Sequence, residues 1–235
     1  MTAHYFWAMR DASKLKRHRH LASADRLAAS LDHEGRRVTG FVPSGFDLYV
    51  RLLNPVEHRD GSTSSWSAAW LSNGLEPSPW MQWDQLVAHE NEILPDADGE
   101  PSMGDPHPSL ARALIRVLAR QHDLSEPHRF ASWPGYSGRR HRGALTTISS
   151  EAREMMLYSG ALLDEAGTPL VPVTDAGRVP MYWWPDDLSW CLGQDLYARS
   201  LILGCDLTTG AAILADPDLE AYRVRPDDFV PVEDF

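Results

Sequence analysis

The sequence predicts an α+β fold: a mainly antiparallel sheet in the C-terminal half, with helices from the N-terminal half packed on it. Three observations lead there. One segment, 108–121, is strongly helical in its apolar spacing. The chain beyond it breaks into short β-type runs separated by turn residues. Helices mostly precede strands instead of alternating with them, which favours α+β over α/β.

The elements follow in chain order. Residues 10–34 read as a helix, with Leu15, Leu21, Leu27 and Leu31 set among Lys14, Lys16, Arg17, Arg19 and Arg26. Its apolar face is thin, so 1–40 is expected to be a basic helical N-terminal segment, dispensable for folding, outside a single α+β domain of 41–235. Residues 46–53 alternate as a strand and stop at Asn54-Pro55. His58 to Gly61 is turn material. Ser65 can cap a short helix through Leu71, with Asn73-Gly74 as its stop. Residues 80–91, opened by Pro79, suggest another helix. Residues 95–108 are rich in Pro, Asp and Gly and read as a loop.

In 108–121, Leu110, Leu114, Val117 and Leu118 occupy i, i+4, i+7 and i+8, behind a Pro suited to the first turn. Strands are expected at 128–133, 143–149, 154–159, 181–184, 188–196, 200–205 and 221–225. A short helix, 208–215, is stopped by Pro217. If 188–196 and 200–205 form a hairpin centred on Ala198, Cys191 faces Cys205 as a reduced pair. There is no internal repeat.

Composition narrows the function classes. A chain of 235 residues with 43% hydrophobic residues can bury a sizeable core. Net charge is −11, yet residues 1–40 carry +4 and the remainder −15. An acidic body repels a phosphate backbone, which disfavours nucleic acid as a partner except through the basic N-terminal segment. No apolar run reaches the length of a membrane span, and no charged-then-apolar leader opens the chain. Two cysteines without CxxC spacing suggest neither a disulfide scaffold nor zinc. A cytoplasmic protein is expected.

Few residue groups suggest chemistry. Pro134-Gly135-Tyr136-Ser137-Gly138 lacks the G-x-S-x-G spacing of a nucleophile elbow and reads as a turn. His18 and His20 are two apart, so on a helix they diverge; a solvated basic face is the better reading than a metal site. Arg112, Arg116 and Arg120 recur every four residues. They could clamp a carboxylate or phosphate, but pairing with the protein's own acids is the simpler expectation. The stretch Trp183-Trp184-Pro185-Asp186-Asp187-Leu188-Ser189-Trp190-Cys191 is the most unusual. It reads as a hairpin turn held by tryptophans, and adjacent Asp186 and Asp187 are not expected to converge on a metal. No cofactor is indicated.

Trp184-Pro185-Asp186-Asp187, Trp190-Cys191, Asp195, Gly204-Cys205, Pro217 and Leu219-Glu220-Ala221 together resemble an uncharacterised actinobacterial protein family with a Trp-Pro-x-Asp / Trp-Cys C-terminal motif. Weaker likeness runs upstream through Asp47–Pro55, Trp66–Gly74, Trp133–Tyr136 and Arg153–Gly160. The chain departs from the pattern at Ile202, Cys205 and Asp195. The resemblance implies fold and lineage, not an activity.

Two functions from different classes follow. The first is a non-catalytic binding or regulatory protein whose acidic surface recognises a basic protein partner. The alternative is a small hydrolase or transferase. Its pocket would be walled by Trp133, Tyr136, Trp184 and Trp190, with Asp187 or Asp195 as the acid–base group. These six are the candidate binding residues. The first is favoured because enzymes usually show a convergent polar constellation.

Overall fold

A computed structural model describes residues 12–33, 36–89, 99–137, 146–147 and 154–232. In chain order the first strands are β1 (Ala12–Lys14), β2 (Lys16–His18), β3 (Leu48–Leu53), β4 (Val56–His58), β5 (Thr63–Ser64), β6 (Gly99–Pro101) and β7 (His128–Ser132). They are followed by β8 (Thr146–Thr147), β9 (Glu154–Gly160), β10 (Val171–Val173), β11 (Tyr182–Trp184), β12 (Cys191–Gly193), β13 (Ser200–Cys205) and β14 (Ala221–Val224). The α-helices are α1 (Ala22–Ser30), α2 (Trp66–Ser72), α3 (Trp83–His89), α4 (Pro108–Gln121) and α5 (Leu207–Leu214).

The fold is α+β. Its main sheet runs β14-β3-β13-β12-β11-β7-β9-β2, with β8 pairing β9 off that path, and all its pairs are antiparallel. A parallel pair, β1-β10, and a small sheet, β5-β4-β6, complete the strands. Among the described residues, no helix is long and apolar enough to cross a membrane.

The period of two along each strand divides the core. Leu48, Val50, Leu52, Leu201, Leu203, Leu192, Trp183, Phe130, Met156 and Tyr158 join α4 and α5 in one cluster. Tyr49, Ile202, Cys191, Tyr182, Trp184, Ala131 and Leu157 lie in a second cluster with Ala24, Leu27, Phe41 and Val42. The sheet is therefore covered by helices on one face. The other is covered by α1 and the irregular run after it. On that second face Gly193 and Gly204 are obligatory: a Cβ would overlap the Phe41 carbonyl at the first and the Phe46 ring at the second.

Helix α4 matches its predicted bounds, and Leu110, Leu114, Val117 and Leu118 are all buried. Burying one such side chain contributes about 1.5–3 kcal/mol. Arg116 and Arg120 on its outer side are taken up by acids of the chain itself. Arg116 reaches Asp218 at 2.7 Å, and Arg120 lies 3.8 Å from Asp216. Helix α2 starts on Ser65, whose hydroxyl accepts the Ala68 N–H. From across the fold, Glu220 also accepts the Trp66 and Ser67 N–H groups at 2.6 and 2.8 Å.

A third cluster gathers Trp66, Trp70, Met81, Trp83 and Leu86 around Leu53 and Val56. Arg51, 1% exposed, lies beside it. It donates to Ser200 Oγ at 2.9 Å and to the Pro79 and Met81 carbonyls at 2.8 and 2.9 Å, and its guanidinium lies over the Trp66 and Trp80 rings. Asn54, at the end of β3, binds the Ser102 and Asp105 carbonyls and accepts the His107 N–H. That ties the chain entering α4 to the central strand.

Several expectations are corrected. Residues 12–18 hold two strands, not helix, and among the described residues of the predicted 10–34 only 22–30 is α-helical. Lys, Arg and Leu favour helix locally, but pairing with β10 and β9 overrides that preference. Among the described residues of the basic segment, β1 and β2 extend the sheets, and Ala24 and Leu27 are fully buried. The 95–108 loop contains β6. Of the predicted strand 143–149, only β8 is among the described residues. The cysteines do not face each other: β12 pairs with β13 as Cys191↔Gly204 and Gly193↔Ile202. The bend is built on a turn closed by the Ala198 N–H to the Asp195 carbonyl. It shifts the register by one residue, and Cys191 and Cys205 fall in the two opposite clusters.

Candidate functional site

The hairpin joining β11 to β12 is the locally strained part of the fold. The Leu188 N–H closes a turn on the Pro185 carbonyl at 3.0 Å. Leu188 itself takes φ 56°, and among the described residues it is the sole non-glycine at positive φ. A branched side chain there costs about 1–2 kcal/mol, which the surrounding contacts must offset. The contacts come from both sides. Arg129 of β7 donates to both Asp186 carboxylate oxygens, at 2.9 and 2.5 Å. Arg26 of α1 donates to the Asp186 carbonyl at 2.7 Å. Asp187 Oδ1 accepts the Ser189 N–H at 3.0 Å.

Opposite this hairpin runs the end of α4 and the approach to β7. The two walls enclose an open cleft of about 540 Å³. Its floor is the fully buried Trp190 ring stacked on His128, with centroids 5.5 Å apart and planes at 25°. His128 is 2% exposed, and its Nδ1 makes no hydrogen bond of normal geometry among the described residues. Burial dominates its titration and pushes its pKa down to about 4, so the ring is neutral at pH 7.

The cleft rim is acidic. Asp123, Glu126, Asp186 and Asp187 line it, against one cation, Arg129. The Ser125 N–H and hydroxyl hold Asp123 below the usual carboxylate range, and the Arg129 hydrogen bonds do the same for Asp186. With Arg129 satisfied by Asp186, the rim presents a net negative field to solvent. His122 also lines the cleft and is bonded to Thr209 Oγ1 at 2.8 Å.

Only two of the six predicted site residues, Asp187 and Trp190, line this cleft. Trp184 lies in the cluster on the other face of the sheet, because it is in register with Arg129, one residue out of phase with the His128–Trp190 side. Trp133 packs half-buried against that same second cluster. Asp195 sits at the β12–β13 bend, bound by Arg36 at 2.5 Å and by the Leu196 N–H. The backbone of Tyr136 is in a 3-10 turn, Pro134–Ser137, and its side chain lies outside the described residues. The six therefore do not assemble one pocket. Sequence reasoning missed His128, Arg129, Asp123 and Glu126. The available signal was the acid–acid–His–Arg run that enters β7 directly after the best helix.

Among the described residues, no three His, Cys, Asp or Glu side chains come together as a cation site. No protein-family model, curated protein or solved structure matches the chain.

Proposed function

We propose that this protein is a non-catalytic binding module that recognises a basic segment of a partner protein at the Asp123–Glu126–Asp187 cleft. The observation that carries the reading is the composition of that cleft: four carboxylates on the rim and one cation already paired. An inserted Lys or Arg would meet uncompensated negative charge over a stacked, neutral aromatic floor. The strained Leu188 supports it, since backbone strain tends to persist where a turn must present particular groups. The excess of acid over base in the whole chain adds long-range steering toward a basic partner.

The test is titration with a labelled peptide of alternating Arg and Gly. Binding should weaken when salt rises from about 50 to about 300 mM, as screening shortens the reach of the rim charges. The double variant Asp123→Lys/Glu126→Lys should abolish it while leaving the thermal transition intact. Equal binding by that variant would rule out the cleft.

A further inference from the structure

At the nearer edge of the same sheet, strand β2, the charge reverses. Strand β2 ends the strand order, paired with β9 on one side only. Its residues make no other backbone hydrogen bond to a described residue. Lys16 and Arg17 are exposed, as are Lys14 before them and Arg19 after them. Among the described residues none of these four forms an ion pair or a side-chain hydrogen bond. Between Ala12 and His20 there are four Lys or Arg and no acid. His18 is bonded to Ser159 Oγ at 2.7 Å, and burial followed by the charges of Lys16 and Arg129 lowers its pKa. The register places Lys16 beside Ser159 and Ser159 beside Arg129, so the basic edge lies two strands, about 10 Å, from the cation that ends the acidic rim.

Exposed edge strands invite pairing with another chain, and lysines on the edge are a common means of preventing it indiscriminately. Cations on both faces of the strand do more than repel a second copy of a basic edge. They select what can pair. We infer that the outer edge of β2 is a docking site for a short, extended, acidic peptide segment of a partner, added to the main sheet as a further strand.

Two observations favour a peptide over nucleic acid. The outer N–H and C=O groups of β2, which no described residue pairs, match an extended backbone and have no counterpart in a phosphate chain. The basic stretch is also short. A longer polyanion would leave it and run onto a body that carries −15 beyond residue 40. This inference rests on residues separate from those of the acidic cleft, so either can fail alone.

The experiment uses the full chain and a fluorescein-labelled peptide of five Glu-Thr repeats, followed by anisotropy. Saturable binding is expected. Lys16→Glu/Arg17→Glu should weaken it about tenfold or more, as expected when like charges are opposed. N-methylation of alternate peptide nitrogens should do the same, because it removes strand pairing and leaves charge unchanged. Asp123→Lys/Glu126→Lys should not weaken it. If the β2 double variant loses its thermal transition, Lys14→Glu/Arg19→Glu tests the same field from outside the strand. The inference is overturned by absence of binding at about 1 mM peptide. It is equally overturned by binding indifferent to the charge reversals or to N-methylation, and by tighter, variant-sensitive binding of an oligothymidylate of similar length.

Discussion

The two faces of the main sheet are stabilised by different means. One is covered by α4 and α5, and its inner residues are almost all aliphatic or aromatic. The other is covered by α1, the 36–46 run and the loop before α3. There the buried groups include Arg51, whose donors are matched to named carbonyls and to a hydroxyl. The first face depends on area removed from water, which is tolerant of small displacements. The second depends on hydrogen bonds made far along the chain, which fail abruptly when one partner is removed. A regular helix satisfies its own backbone and needs only an apolar stripe. An irregular covering segment has to find partners elsewhere.

The largest effect should come from removing part of the second cover. Deleting residues 1–33 takes away β1, β2 and α1, including fully buried Ala24 and Leu27. We expect loss of the cooperative near-ultraviolet transition; a truncated chain that melts as sharply as the intact one would show that this face needs no cover.

Single substitutions compare the faces directly. Arg51→Met strands Ser200 Oγ and two carbonyls in the interior and should cost about 3–5 kcal/mol in urea unfolding. Leu114→Ala on the helical face should cost about 2–5 kcal/mol, set by how far α4 can settle into the cavity. The decisive readout is repair. Leu114→Met should recover most of the loss, whereas Arg51→Lys should not, because an ammonium cannot reproduce the planar fork between two tryptophans.

The helical face carries a group that titrates in the acid range, His128. Its folded pKa, about 4, is below the ordinary 6.5. Its contribution is therefore complete above pH 6.5 and is lost as pH falls toward 4, by up to about 3 kcal/mol. Asp105 works in the opposite sense. Burial raises it to about 6 despite Arg178, so its contribution is complete below 3.8 and lost as pH rises through 6. His128→Phe keeps a ring against Trp190 and removes the titration. Urea midpoints between pH 7 and pH 4.5 should then converge for that variant relative to the unmodified chain. An undiminished acid loss would place the sensitivity elsewhere.

The smallest effect is expected at the cleft rim. Arg129 and Asp186 are bidentate, but the aspartate is more than half exposed. Arg129→Ala should cost about 1 kcal/mol or less and diminish further in high salt. A larger loss would mean that the pair, and not the packing behind it, holds the Leu188 turn in its strained conformation.

What could be read from the residues themselves was local. The α4 stripe, the Ser65 cap and the strands read at 200–205 and 221–225 are written in spacing and in turn chemistry, which act within a few residues. The charge asymmetry was equally legible, as an acidic body behind a basic segment, but not that the basic residues form a strand. The helical reading of 12–18 failed because β pairing with segments about 140 or more residues away outweighs a weak local propensity. The cysteine register failed because one residue in a bend inverts the side of every side chain beyond it. The candidate tryptophans are kept apart for the same reason: Trp184 and Trp190 are close in sequence but lie on opposite sides of the sheet. Composition and periodicity determined that this chain forms α4 on an antiparallel sheet with uneven charge. Only the tertiary structure decided which strand is an edge, which acids share a rim, and which buried polar groups meet. Those are settled by pairing partners distant in the chain, which no local pattern encodes.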